Sequence, residues 1–445
     1  MFTMRAISKM QMFGILSSLI IGVARAADYY VSPTGSDNDP GTLAKPFATV
    51  QRAQDAAAPG DTVFIRGGIY PMKETQIAQS KGIFAYLIFL NKSGTPGKRI
   101  QYWAYPGEKP IFDCSAVKPP QRVDAFYVSA SWIHLKGLEV TGVQVTLTNH
   151  TQSIGFENDG SHNIFELLSI HDGQSIGIYS VRGSNNLFLN CDAWNNRDYT
   201  SENGKGGNAD GFGCHPPKGS TNNVFRGCRA WFNSDDGFDC INAHEPVTFE
   251  NCWAFYNGYS PSFKSLADGN GFKAGGYGKS PVRVPDPVPR HQIRFCLAVR
   301  NKASGFYSNH HLGGSDWLNN TAFRNGCNFN MLCMLLDGFK DVDGFGHTLK
   351  NNLSYESRAL ISKFDASKSV AVNNSFSLDL KLSDKDFVSI DERDLLQPRQ
   401  ANGDLPLIQL LHLAPGSALI DKGVDVGFPF HGIAPDLGVF EFTKE

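Results

Sequence analysis

The chain is poor in what most fold classes need. Among 445 residues only 19 % are charged, and Lys plus Arg (41) do not exceed Asp plus Glu (43), so no basic surplus points to nucleic acid as a partner. Its nine cysteines form no CxxC pairs, which argues against a zinc cluster. There is little of the Leu, Glu and Lys that a helical bundle requires. Asn, Ser, 45 Gly and 32 Phe are abundant instead, and a hydrophobic content of 41 % is too high for a disordered chain. No apolar run is long enough for an ordinary membrane span. The one candidate, Met10–Val23, follows Arg5 and Lys9 and ends in Ala24-Arg25-Ala26. This is the pattern of an export signal cleaved before Ala27, leaving a more acidic mature chain of residues 27–445 in the periplasm or outside the cell, with no membrane span.

A phrase recurs along what remains. It has an aromatic or aliphatic residue, two positions, Cys or Asn, one position, a small or apolar residue, and soon an Asn. Examples are Phe188-Leu-Asn-Cys-Asp-Ala-Trp-Asn, Phe225-Arg-Gly-Cys-Arg-Ala-Trp-Phe-Asn, Phe249-Glu-Asn-Cys-Trp-Ala-Phe-Tyr-Asn and Trp317-Leu-Asn-Asn-Thr-Ala-Phe-Arg-Asn. Marked by its Cys/Asn position, the repeat runs 23 residues from Leu168 to Cys191, 24 from Cys228 to Cys252, 24 from Cys296 to Asn320 and 22 from Asn352 to Asn374. Gaps of 37, 44 and 32 read as one turn plus an insertion. A leucine-rich repeat would show Leu where this chain has Phe, Asn, Cys and Ala. The period predicts an all-β, right-handed parallel β-helix with Asn or Cys stacked at one inward turn, the amide bonding backbone and the next coil's Asn. Most cysteines are then small buried hydrophobes. A helix over Phe47–Ala57 caps the N-terminal end, Thr62–Arg66 is the first coil strand, and residues 380–445 form an irregular C-terminal cover on a single, monomeric domain.

The polar residues concentrate in three related phrases: Asn208-Ala-Asp210-Gly-Phe, Asn233-Ser-Asp235-Asp236-Gly-Phe-Asp239 and Asp268-Gly-Asn270-Gly-Phe-Lys273. In register, they bring Asp210, Asp235, Asp236 and Asp239 into one volume. Carboxylates gathered with no Lys or Arg among them repel, and a hard divalent cation on oxygen ligands, Ca²⁺ rather than Zn²⁺, relieves that. Lys273, one coil on and hemmed by glycines, is placed to act as a base. Two look-alikes are set aside: Gly269–Ala274 fits a dinucleotide fingerprint without a βαβ unit, and Gly278-Lys-Ser lacks the first Gly of a phosphate loop. The alternatives to a base-and-metal site are a hydrolase using paired Asp residues, and a non-catalytic glycan-binding or adhesion β-helix.

These three phrases, with Tyr30-Val-Ser-Pro-Thr-Gly-Ser near the start and Ala434-Pro-Asp-Leu-Gly-Val-Phe-Glu near the end, resemble pectate lyases of polysaccharide lyase family 9 across nearly the whole mature chain. The resemblance implies a β-helix with an asparagine ladder, a catalytic Ca²⁺ at Asp210, Asp235, Asp236 and Asp239, and Lys273 as Brønsted base. It further implies an acidic pectic polysaccharide as substrate, cut by β-elimination at galacturonate. Where some pectate-cleaving members carry an acidic residue after Gly-Phe in the next coil, this chain has Gly305-Phe-Tyr307, followed by His310-His311. Tyr307, His310 and His311 are the expected substrate contacts, with polygalacturonan placed first as substrate and rhamnogalacturonan second.

Overall fold

The computed structural model describes residues 26–278, 280 and 283–443, so the expected leader lies, apart from Ala26, outside the described residues. Short strands succeed one another around three sheets of 12, 10 and 11 strands, and neighbours within a sheet come from successive coils. In the 12-stranded sheet, for example, Leu187–Leu189 pairs in parallel with Asn223–Arg226, which pairs with Val247–Glu250. This is the expected parallel β-helix. The first residue of the repeated phrase is its inward position: Phe188, Phe225, Phe249, Ile293, Trp317 and Leu349 fall in one register and are buried. The Phe of each Gly-Phe phrase lines the opposite wall, Phe212, Phe238, Phe272 and Phe306 stacking at ring-centroid spacings of 4.8, 4.7 and 5.1 Å.

Turning the chain three times per coil strands backbone groups at each corner, and the burial of any unpaired one is costly. One inward Asn/Cys position is expected; side chains close all three corners. Between the 12- and 10-stranded sheets, Cys191, Cys228, Cys252 and Cys296 give way to Asn320, Asn352 and Asn374, whose amides link at 3.0 and 2.8 Å. All nine cysteines are free thiols. Between the 10- and 11-stranded sheets, the amides of Asn196, Asn233, Asn257, Asn301 and Asn325 form a continuous chain with links of 2.9–3.1 Å. At the third corner Asn163, Asn186 and Asn223 do the same work, and histidines then replace them: Val247 N–H donates to His291 Nδ1 (3.3 Å) and Ser315 N–H to His347 Nδ1 (3.1 Å).

The helix observed at the N-terminal end is Val50–Ala56, with the Thr49 side chain accepting from Arg52 N–H and with Val50 and Ala53 packed into the core. The C-terminal segment does not stop at the last coil. It runs back along the outer face of the 10-stranded sheet, where Leu395, Leu410, Leu411, Leu419 and Leu437 bury against Trp253, Phe255, Leu297, Val299 and Phe323. Arg399 and Arg229 grip Asp192 from either side of this seam at 2.7 and 2.8 Å. The last coil is instead covered in part by Phe376, packed against Phe329. No helix among the described residues is long and apolar enough to cross a membrane.

Two predictions follow from the corners. Asn257 Oδ1 accepts from Asn233 N–H and Nδ2, and its own amide donates to Ala230 O and Asn301 Oδ1, so Asn257→Ala leaves several buried groups unpaired. Denaturant unfolding should register a loss of about 3 kcal/mol or more. Burial also holds His347 down to about 3, against an unfolded value near 6.5. Its contribution to stability is complete above that unfolded value and is lost as pH falls toward the folded one, at about 1.4 kcal/mol per pH unit. His347→Asn keeps an acceptor for Ser315 N–H but no basic nitrogen. The drop in Tm between pH 7 and pH 5 should therefore be smaller in the variant than in the parent; an equal drop would refute the assignment.

Candidate active site

The outer face of the 11-stranded sheet is where the three phrases meet, and glycine is what aligns them. Gly211, Gly237 and Gly271 occupy one corner of successive coils, and a Cβ on each would sit 2.6–2.7 Å from the carbonyl oxygen of the next coil's glycine. No side chain fits there. The residues before these glycines form a polar ladder of their own: Asp210 Oδ1 accepts from Asp236 N–H (3.0 Å), Asp236 Oδ1 from Asn270 N–H (2.7 Å), and Asn270 Oδ1 from Ser304 N–H (3.1 Å). One oxygen of Asp210 and one of Asp236 are thus fixed by backbone. Three residues after Asp236, Asp239 pairs in register with Lys273, which pairs with Tyr307.

Asp210, Asp236 and Asp239 each offer an oxygen to a cluster whose members lie within 4.8 Å of one another, and all three are buried. Asp235, also buried, falls outside that triad, and its Oδ1 has no hydrogen-bond partner among the described residues. A cation is present in the cluster already. Lys273 Nζ lies 3.0 Å from Asp236 Oδ2 and 3.1 Å from Asp239 Oδ2, so the expectation of carboxylates with no basic neighbour is corrected: the next coil delivers one. Burial alone would lower the lysine pKa, but Asp236, Asp239, Asp235 and Asp210 together hold it well above its ordinary value. Burial, followed by mutual repulsion, pushes Asp210 and Asp235 up, and burial likewise raises Asp236. One ammonium does not neutralise four carboxyl groups, and the uncompensated oxygens suit a hard cation.

The three expected substrate contacts separate. Tyr307 stands beside Lys273, half-buried, its phenol pushed up to about 12 by burial. His310 lies beyond the end of the strand in a left-handed conformation (φ 57°), partly exposed, with Nδ1 2.8 Å from Asp341 Oδ1. His311 has no exposed surface. Its Nε2 donates to Pro289 O at 2.9 Å and its Nδ1 accepts from Gly276 N–H at 3.3 Å, so it ties two turns together and has no face for a polymer. Burial holds it down to about 4.

The gaps of 37, 44 and 32 residues correspond to insertions whose described parts, residues 195–211, 256–270, 274–278, 283–291 and 331–347, lead into or out of strands of the 11-stranded sheet in the coils around Lys273. Segment 256–270 is tethered by Lys302 Nζ, which donates to the carbonyls of Leu266 and Ala267. Repeat spacing alone locates these insertions in the sequence, without showing which sheet they border. Gly269–Ala274, the rejected dinucleotide look-alike, is a β-helix corner and strand, with no α-helix after it among the described residues.

Residues 29–352 match the family model described as the Pel9A-like, right-handed β-helix region. The chain is 34 % identical over 437 residues to pectate lyase L of Dickeya chrysanthemi, covering 96 % of this chain and 93 % of that one. Among solved structures, a rhamnogalacturonan lyase superposes with a TM-score of 0.84 at 44 % identity, over 87 % of this chain and 97 % of its own. Pectate lyase Pel9A superposes with a TM-score of 0.76 at 33 % identity, over 95 % and 98 %. Matched by that model over residues 29–352, this chain belongs to the Pel9A-like family of right-handed parallel β-helices.

Proposed function

We propose that this protein is a polysaccharide lyase that cuts the galacturonate-containing backbone of pectin by β-elimination, acting as an exported domain of residues 27–445. The observation that carries the reading is the contact of a single, largely buried amine, Lys273, with Asp236 and Asp239, two of the three carboxylates that the two preceding coils hold within reach of one another. An acid–base hydrolase needs two carboxyl groups and no amine between them.

The donor set fits Ca²⁺: it is all oxygen, and Asp235 Oδ1 is buried without a partner among the described residues. Asp210, Asp236 and Asp239 would hold the ion, with Asp235 completing the set. Bound there, Ca²⁺ supplies positive charge to the uronate carboxylate and so acidifies the proton at C5. Lys273 Nζ takes that proton once it carries a free electron pair, and neutralising the surrounding carboxylates removes what holds it protonated. The electron pair left at C5 forms the C4–C5 double bond as the C4–O4 bond breaks, giving a 4,5-unsaturated end without consuming water. Asp236 and Asp239 position the amine, and the backbone bonds to Asp210 and Asp236 keep their carboxylates from turning away.

Rhamnogalacturonan is the better substrate on this reading, ahead of polygalacturonan. The register column running through the site carries Tyr127, Glu157, Tyr179, Gly213, Asp239, Lys273, Tyr307 and Asn330, and Lys273 is its one cation. A chain with a carboxylate on every sugar would call for more. The 44 % identity to a rhamnogalacturonan lyase points the same way.

Lys273→Ala should lower formation of unsaturated ends, followed by ultraviolet absorbance, at least a thousandfold with the fold retained. Lys273→Arg should be nearly as poor, since a guanidinium stays protonated. Unaltered turnover in either variant would eliminate the base. Excess chelator should stop the reaction and added Ca²⁺ restore it, with Asp235→Ala and Asp239→Ala raising the Ca²⁺ needed for half-maximal rate. Full turnover in chelator would remove the metal and favour a hydrolase.

A further inference from the structure

β-Elimination at galacturonate moves two protons, and Lys273 accounts for one. O4 departs from C4 with an electron pair and takes up the other. In galacturonate the C5 hydrogen and O4 point to opposite faces of the ring, so the group that supplies the second proton has to stand across the C4–C5 bond from the amine. Lys273 has two neighbours in its register column, Asp239 in the preceding coil and Tyr307 in the following one. Asp239 is ion-paired with the amine at 3.1 Å and stands on the amine's own side. Asn330, one coil beyond Tyr307, offers only an amide. The next phenol on the other side, Tyr179, is separated from Lys273 by Gly213 and Asp239, and its hydroxyl is bonded to His215 Nδ1 at 2.8 Å.

Tyr307 has both the position and a free hydroxyl. Phe272 and Phe306 stack in the core, so the residues that follow them, Lys273 and Tyr307, rise together from the outer face on strands about 4.8 Å apart. The amine leans away from Tyr307, toward Asp236 Oδ2 at 3.0 Å and Asp239 Oδ2 at 3.1 Å in the preceding coil. That lean opens a gap between Nζ and the phenol, which the C4–C5 edge of a sugar ring can enter. The Tyr307 ring packs edge to face against His310, with centroids 6.1 Å apart and planes at 72°, and His310 is tied to Asp341 at 2.8 Å. Packing therefore holds the ring, while its hydroxyl makes no hydrogen bond among the described residues. Even at its ordinary pKa near 10 a phenol carries its proton at neutral pH.

We propose that Tyr307 is the general acid of the elimination, donating its phenolic proton to O4 while Lys273 takes the C5 proton from the opposite face of the ring. The inference rests on the lyase reading above and adds the residue that the leaving group requires. The C5–H electron pair becomes the C4–C5 double bond, the C4–O4 pair stays on oxygen, and O4 leaves protonated as the anomeric hydroxyl of the departing sugar. Turnover ends with Lys273 as ammonium and Tyr307 as phenolate, facing each other across the vacated gap. One proton passing from ammonium to phenolate through a water in that gap restores both groups, so no other proton source is needed.

The test follows cutting and hydrogen exchange at C5 together, in the full chain with Ca²⁺ present, using a rhamnogalacturonan oligosaccharide in heavy water. Tyr307→Phe keeps the ring against His310 and removes a hydroxyl that no described residue bonds, so its Tm should match the parent's. Its kcat, read from unsaturated ends, should fall about a hundredfold, with KM within about twofold. Proton removal should persist: oligosaccharide recovered uncut from the variant should carry deuterium at C5 by nuclear magnetic resonance, whereas that recovered from Lys273→Ala should carry none. A phenol that only touched or supported the sugar would not separate the two steps. A kcat within about twofold of the parent's overturns the proposal, and so does a loss of cutting without deuterium at C5. If the parent forms no unsaturated ends, the lyase reading fails and the acid with it. A parent that cuts, with a Tyr307→Phe variant that cuts as well, removes the acid alone.

Discussion

Everything in this molecule depends on side chains accepting backbone N–H groups at the corners of the coils. Strand-to-strand bonds hold successive coils together along the sheets, but each turn exposes N–H and C=O groups to a dry interior. A β-helix whose corners were apolar would bury those groups unpaired. Asparagine serves best because one amide both donates to a carbonyl and accepts from the next coil, as in the unbroken run from Asn196 to Asn325. Histidine at positions 291 and 347 keeps the acceptor half of that function, and with it comes sensitivity to acid that asparagine lacks.

The candidate site is the same device turned to chemistry. Asp210 and Asp236 accept N–H groups from the following coil as the corner asparagines do, but each brings a negative charge and a second oxygen. Glycine at 211, 237 and 271 lets the coils close to carbonyl distance, which compresses these charges into one cluster. The energetic tension so created is met by Lys273 and by whatever cation the remaining oxygens attract. Structural regularity thus supplies preorganisation: the carboxylates cannot relax outward without breaking backbone hydrogen bonds.

Much of this was legible in the chain. The period near 23, the inward Phe and Trp, the in-register Gly-Phe phrases and the insertions all survive as elements of the structure, because each is a short-range pattern repeated in every coil. The helix at Val50–Ala56 was legible for the same reason, its cap and apolar face being local. The motifs also carried the family likeness, each being a Gly-Phe phrase with a polar residue before it.

What only the tertiary structure decided concerns partners from different coils. His311 seemed available to a substrate and is buried between Pro289 and Gly276, while the exposed ring in that turn belongs to His310. Lys273, read as a base near an acidic group, is also that group's counterion. Tyr179 and His215 carry no motif and come together across 36 residues because Gly213 leaves space above itself. The C-terminal segment folds back along the 10-stranded sheet because the apolar outer face of Trp253, Phe255 and Leu297 needs covering. The physical reason is common to all four. Sequence periodicity fixes which way a side chain points within its own coil, but the identity of its neighbour depends on insertions of unequal length in the coils above and below.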